Sequence, residues 1–274
     1  MKFKTIFVFF NILIVVTFVF ILFMPFFMLG GGYVKVFWKE NWYFGAAFAV
    51  VLGALNLYYV KNRALFSFFE KEDWQGARGY LEEIIYTRKK GSRKTIRMLI
   101  HTYVVLADTQ ALEKLSRYLE EAFPRRFAFF ALELGIPSMV QGNPDAMRGY
   151  FERALMAPGA RKRPWLLWHS AFAGLGSVSA ETRALAASRL GELASGGRDS
   201  VLRLLSAYLL DSRAEKDTAG FVQRIRAELK ALHTRAEWEK RAGRFSSSLS
   251  GLVLGRLLAD AEKWLFGEEE NNNG

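Results

Sequence analysis

Six basic side chains crowd into ten positions: Arg88, Lys89, Lys90, Arg93, Lys94 and Arg97, with no acidic residue until Asp108. Such a run attracts anions. A surface of anionic lipid would hold it at about 1 kcal/mol per basic side chain near the headgroups. A solvated loop and an acidic partner are the other two readings. Arg161-Lys162-Arg163 repeats the feature on a smaller scale. Nucleic acid is not an expected partner, because no recognised binding module accompanies the charge.

Other chemistry is sparse. The chain has no Cys, which excludes disulfide frameworks, thiolate metal sites and Cys nucleophiles. Three histidines, His101, His169 and His233, leave little for a metal cage. There is no P-loop spacing, no H-E-x-x-H and no G-x-S-x-G elbow. Gly174-Leu175-Gly176 opens a G-x-G pattern, but Ser179 stands where the third Gly belongs. His101, between Ile100 and Tyr103, reads as a packed histidine, and His169, after Trp165 and Trp168, as core or groove lining. Glu82-Glu83 and Glu120-Glu121 are neighbours that diverge around a helix axis and suit solvated faces. The expectation is a protein that is not an enzyme, with no catalytic, cofactor-binding or metal residue to nominate and no cofactor.

The elements that carry the basic run begin with a membrane segment. The 274 residues are 51% hydrophobic with a net charge of +11, unevenly spread. Residues 1–60 contain only Lys2, Lys4, Lys35, Lys39 and Glu40 as charges, a net +3, which leaves +8 for the remainder. Thr5–Leu29 is an uncharged apolar run that would reach roughly 37 Å as a helix, more than a hydrocarbon core of about 30 Å. A secretory signal is the competing reading, but the run is long, and Met24-Pro25-Phe26-Phe27 offers no small-x-small cleavage site. Pro25 is expected to kink or end this span, and Gly30-Gly31-Gly32 to break it. Trp42–Val60 is a second uncharged stretch, about 28 Å as a helix, flanked by aromatic residues including Trp38, Tyr43, Tyr58 and Tyr59. The larger cluster of basic residues after it favours both termini in the cytoplasm. Within it Gly45, Ala49 and Gly53 recur every fourth residue, a face on which a helix could pack closely. That helix is either the first span or one from a partner or a second copy. Asn11 and Asn56 are the polar residues suited to bonding between helices.

Beyond Lys61 apolar residues recur at three- and four-residue spacing, in stretches divided by Gly, Pro, Asn and Asp, and no strand pattern appears. The helices expected are Trp74–Tyr86, Ile96–Leu106, Ala111–Ala122, Phe127–Val140, Ala146–Met156, Trp165–Ala173, Ala180–Leu193, Val201–Leu210, Ala219–His233 and Leu249–Phe266. Tyr80-Leu81-Glu82-Glu83, Tyr118-Leu119-Glu120-Glu121 and Tyr150-Phe151-Glu152-Arg153 recur at spacings of 38 and 32, which bracket the tetratricopeptide period of about 34. Leu134-Gly135 in a first helix, then Gly142-Asn143-Pro144-Asp145 with Phe151, Ala154, Leu155 and Pro158, resembles one tetratricopeptide repeat, with Pro137 bending its first helix. The last helix presents Leu249, Val253, Leu257, Ala261 and Leu265 along one stripe, widened by Leu254, Leu258 and Trp264 and suited to capping the array.

The fold class expected is therefore all-α: a two-helix transmembrane hairpin followed by a tetratricopeptide-like α-solenoid of helix-turn-helix pairs. The hairpin occupies 1–60, with spans about 5–29 and 42–60. The repeat domain covers 61–245, a capping helix 246–266 and a disordered tail 267–274. Two spans around a loop holding Gly32-Tyr33-Val34, then Asp73-Trp74-Gln75-Gly76-Ala77 opening a repeat helix, resemble the HemY-type proteins. That resemblance implies a tetratricopeptide protein of the bacterial inner membrane, associated with haem biosynthesis. The function expected is a membrane-anchored scaffold binding partner proteins on its helical-repeat surface from the cytoplasmic side. The alternatives are an accessory protein or enzyme of a membrane-linked pathway with tetrapyrrole substrates, and a structural scaffold of a cell-envelope or flagellar assembly.

Overall fold

The computed structural model describes residues 3–160, 162–196, 198–213, 219–232, 234–246 and 249–267. Arg161, His233 and the tail from 268 onward lie outside the described residues. Every regular element among the described residues is a helix.

The chain divides into two compact units, Met1–Thr102 and Tyr103–Gly274. The first opens with α1 (Phe3–Leu29) and α2 (Gly31–Glu70). α1 continues through Pro25, and the chain turns at Gly30 alone, whose φ of 76° is a conformation glycine adopts without steric cost. Gly31 and Gly32, expected to prolong the break, instead start α2; glycine lowers helix propensity by about 1 kcal/mol without forbidding the helix. Residues 31–41, expected as loop, are therefore helical. α2 bends at Asn41 (φ −119°, ψ 19°), where the side-chain amide donates to the Phe37 carbonyl at 2.9 Å. α1 and α2 pair through Asn56, whose Nδ2 donates to Asn11 Oδ1 at 3.0 Å, and through Phe18 stacked on Phe48 with ring centroids 3.8 Å apart. Position 11 meets 56 and 18 meets 48, so the two helices run antiparallel.

α2 over Lys35–Glu70 is long and apolar enough to cross a membrane, and Val8–Ile21 of α1 is a shorter apolar stretch. Trp42, Phe44, Val50, Val51, Leu57 and Val60 are all exposed. Past Val60 the same helix acquires an inner face: Leu65 is buried, and Phe68 and Phe69 meet Tyr80 and Trp74. These last two belong to α3 (Trp74–Glu82), which Asp73 caps by accepting from the Gly76 N–H at 2.8 Å. A π-turn, Glu83–Thr87, ends this stretch, and α4 (Arg93–Val105) begins after it.

In the second unit, successive helices are α5 (Thr109–Ala122), α6 (Pro124–Leu134), α7 (Ile136–Val140), α8 (Pro144–Met156), α9 (Arg163–Leu175), α10 (Ala180–Gly196), α11 (Ser200–Arg213) and α12 (Ala219–Leu232). Side-chain caps start several of them: Asp108 for α5, Asn143 for α8 and Asp199 for α11. The single helix expected over Phe127–Val140 is two, α6 and α7, divided at Gly135 two residues before Pro137. A Cβ on Gly135 would lie 2.7 Å from the Phe151 ring and 2.9 Å from Tyr150, so the absence of a side chain sets how closely α8 approaches. Neighbours in sequence are neighbours in space: α5 with α6, α8 with α9, α9 with α10, α10 with α11 and α11 with α12.

Two further helices complete the unit, α13 (Arg235–Ser246) and α14 (Leu249–Phe266). α13 was not expected from apolar periodicity. It is opened by Thr234 and Glu237, whose side chains each accept from the other's backbone N–H. α14 buries Leu254, Leu258, Ala261 and Leu265, all within the expected apolar face, with Val253 at its exposed edge. It does more than terminate the array: it touches α11 and α12 and also reaches α6 and α7. Trp264 Nε1 donates to Asp211 Oδ2 at 2.7 Å, and the Arg226 guanidinium sits over the Trp264 ring. Trp168, Leu190, Leu204, Leu229, Trp238 and Leu258 belong to one continuous core drawn from α9 through α14.

Candidate functional site

The six basic residues fall on two short segments. Arg88, Lys89 and Lys90 follow the π-turn, and Lys89 has φ 51°. Arg93, Lys94 and Arg97 occupy the first turns of α4. All six are exposed. Cations there oppose the positive end of the helix dipole, an arrangement that costs a few tenths of a kcal/mol each and that a nearby anion would relieve. Arg88 is ion-paired with Glu83 at 2.9 Å, which holds its guanidinium pKa above the ordinary value. Lys94 donates to the Tyr58 hydroxyl and lies over that ring, 4.7 Å from the centroid. Since Tyr58 lies in the last turn of the apolar stretch of α2, part of the basic run is fastened where that stretch gives way to charge.

Gly45, Ala49 and Gly53 are not covered by α1. Ala49 is exposed, and a Cβ on Gly45 or Gly53 would meet nothing within 4 Å. The α1 contact runs instead through Phe48 and Asn56.

The two described histidines behave oppositely. His101 is exposed, contrary to the packed histidine expected, because the inner face of α4 is set by Ile96, Leu99, Ile100 and Tyr103 and His101 lies about 100° round from Ile100. His169 is fully buried on α9, enclosed by Phe151, Trp165 and Trp168. Its Nδ1 lies 2.7 Å from the Trp165 carbonyl, which can only accept, so the proton sits on Nδ1. Nε2 finds no partner. Burial pushes the imidazole pKa down to about 4, partly opposed by the carbonyl bond, so the ring is neutral near pH 7. An aromatic enclosure of this kind suits packing. Tyr150 is likewise buried; its hydroxyl donates to the Ala131 carbonyl at 2.9 Å, and burial raises its pKa.

Among α5, α6, α8 and α10 an open groove of about 650 Å³ is lined by Glu120, Phe127, Arg153, Met156, Pro158 and Arg189, among others. Arg153–Glu120 at 3.1 Å and Arg189–Glu152 at 3.5 Å lace α5, α8 and α10 across it. Such half-exposed pairs add at most about 1 kcal/mol each. Met156 is 86% exposed beside them. Sequence reasoning missed this groove; its signal was Glu120, Arg153 and Arg189, spaced close to one repeat apart. No group of three or more His, Asp or Glu residues able to hold a metal occurs among the described residues.

A family model described as "Uncharacterised Treponema protein" matches residues 111–267, from the first turn of α5 to the end of α14. The chain belongs to this Treponema family. The match covers most of the second unit, so the family is defined by the helical pairs and the returning α13–α14. A Treponema pallidum (strain Nichols) relative described as "Uncharacterized protein" is 29% identical over 233 residues, covering 80% of this chain and 73% of its own length. An alignment over that share must extend N-terminal of residue 111, so similarity to it reaches into the first unit. No solved structure matches the chain.

Proposed function

We propose that the protein is a membrane-anchored helical scaffold: α1 and α2 cross the membrane as a hairpin, and the helical pairs engage a partner protein. The observation that carries this reading is α2 itself. Over one helix it passes from an apolar stretch that pairs with α1 yet has no buried residue to a face packed on α3. An uncovered apolar helix of that length loses roughly 25 cal/mol for each Å² of apolar surface left in water, and a bilayer removes that cost. The basic residues after Val60 favour a cytoplasmic helical domain at a bacterial inner membrane. The order of helix contacts supports a tetratricopeptide-like array, with Gly135 at the close approach that such a repeat requires. We propose likewise that the first 85 residues are of the HemY type, on Gly32-Tyr33-Val34 and Asp73-Trp74-Gln75-Gly76-Ala77.

Because α14 lies along α6, α7, α11 and α12, the partner surface of this scaffold is the groove around Met156 rather than the face that α14 occupies. The test has two parts. Membranes carrying the full chain should retain it through an alkaline carbonate wash, and a reporter fused after Gly274 should be active only on the cytoplasmic side. Release by carbonate overturns the anchor. A photo-crosslinker at Met156 should trap a discrete protein in membranes that Met156→Glu no longer traps, and trapping nothing counts against the scaffold.

A further inference from the structure

Where α2 leaves its apolar stretch, a cavity of about 270 Å³ opens within the first unit between α2, α3 and α4. Its polar lining includes Tyr58, Lys61, Asn62, Tyr80, Lys94 and Thr95. Its apolar lining comes from Leu65, Phe66, Leu81, Ile84 and Met98. Two lysines and no carboxylate face it. The neighbouring acids are engaged elsewhere, Glu82 with Arg78 and Glu83 with Arg88, each at 2.9 Å. The Tyr58 hydroxyl holds the Lys94 ammonium at this site. From Tyr58 to Leu65 is seven residues, roughly 10 Å of helix, comparable with one headgroup layer of about 5–8 Å. Apolar walls on one side lower the local dielectric and strengthen the pull of both lysines on an anion.

We propose that this cavity binds the phosphodiester headgroup of an anionic phospholipid, held between Lys61 and Lys94. The site rests on the membrane reading above, which places Tyr58 at the bilayer surface. Lys89 and Lys90, equally charged and close in sequence, do not line the cavity and serve as the control.

The full chain in neutral maltoside micelles is titrated with phosphatidylglycerol, phosphatidylcholine or inorganic phosphate, and bound species are read by native mass spectrometry. Phosphatidylglycerol is expected to bind in preference to the other two. Lys61→Gln with Lys94→Gln should weaken it roughly thirtyfold, the effect of two basic side chains lost at a headgroup. Lys89→Gln with Lys90→Gln should weaken it no more than about threefold, and Lys61→Arg with Lys94→Arg should retain it. Equal losses in the two glutamine pairs would mean a diffuse basic field and overturn the site. So would phosphatidylcholine binding as well as phosphatidylglycerol, or inorganic phosphate competing on equal terms. Carbonate release of the full chain identifies failure of the anchor and removes this site with it. Carbonate retention without phosphatidylglycerol preference overturns the site alone.

Discussion

Acidification is expected to destabilise the second unit through one side chain, His169. In the folded protein burial holds its imidazole pKa at about 4, against 6.5 for the water-exposed ring of an unfolded chain. The unfolded chain therefore takes up the proton first. The stability that neutral His169 contributes is fully present above about pH 6.5 and is lost as pH falls towards 4. At about 1.4 kcal/mol per pKa unit, the full loss is about 3 kcal/mol, and about 2 kcal/mol of it is gone by pH 5. The structural cause is Nε2: charging the ring puts a second N–H where Phe151 and Trp168 offer no acceptor. For a unit of this size 2 kcal/mol corresponds to a fall in Tm of about 4–8 °C. The assay is thermal unfolding of the full chain in maltoside micelles, followed by tryptophan fluorescence, since Trp165, Trp168, Trp238 and Trp264 all lie in the second unit. Glu262 acts in the opposite direction. Burial raises its carboxyl pKa, so its contribution grows as pH falls, and the wild-type slope is the sum of the two. The His169→Gln variant isolates the histidine. The difference in Tm between wild type and His169→Gln should shrink from pH 7.5 towards pH 5, by about the amount above. A difference that stays constant over that range would refute the link between burial and titration drawn here.

Gly135→Ala should cost about 1–3 kcal/mol, because its methyl would press on the buried rings of Phe151 and Tyr150, which cannot swing aside; urea unfolding measures it, and no change would mean that α8 can retreat freely. Arg203 donates from Nε to the Ala194 carbonyl at 2.8 Å and from Nη2 to Glu228 at 2.8 Å, with its side chain only 12% exposed. Arg203→Gln should lose about 1–3 kcal/mol and Glu228→Gln less than about 1 kcal/mol, since Glu228 is half in water; equal losses would show that the carbonyl bond counts for little.

Local chemistry was legible in the sequence and long-range return was not. Asp73, Asp108 and Asn143 announce helix starts because each offers a short acceptor to the N–H three residues on. The Asn11–Asn56 pair was legible because an uncharged apolar helix has few other polar groups. α13 was hidden because half of Arg235–Ser246 is charged and it buries only Trp238 and Ala242; its readable sign was the Thr234-x-x-Glu237 box, not periodicity. The helical run at 31–41 was hidden by three glycines, a composition that reads as a break although only Gly30 has positive φ there. His101 was misjudged by its neighbours along the chain, when a helix sorts residues by angle. The site around Met156 depends on side chains from four helices, α5, α6, α8 and α10, and the seam of α14 on contacts with helices far back in the chain; neither is encoded at one position.

That return has a consequence for synthesis. α14 rests partly on α6, and Leu134 is separated from Phe266 by about 130 residues. At translation rates of 5–20 residues per second the ribosome needs roughly 7–26 s to cover that distance. Through that interval α6, α7, α11 and α12 stand without this cover, and the apolar seam that Leu254, Leu258 and Leu265 will occupy is open to water. If α1 and α2 commit the nascent chain to a membrane as proposed, tethering lowers the chance that two such open intermediates meet in solution, and the proposed anchor would also act as a folding aid.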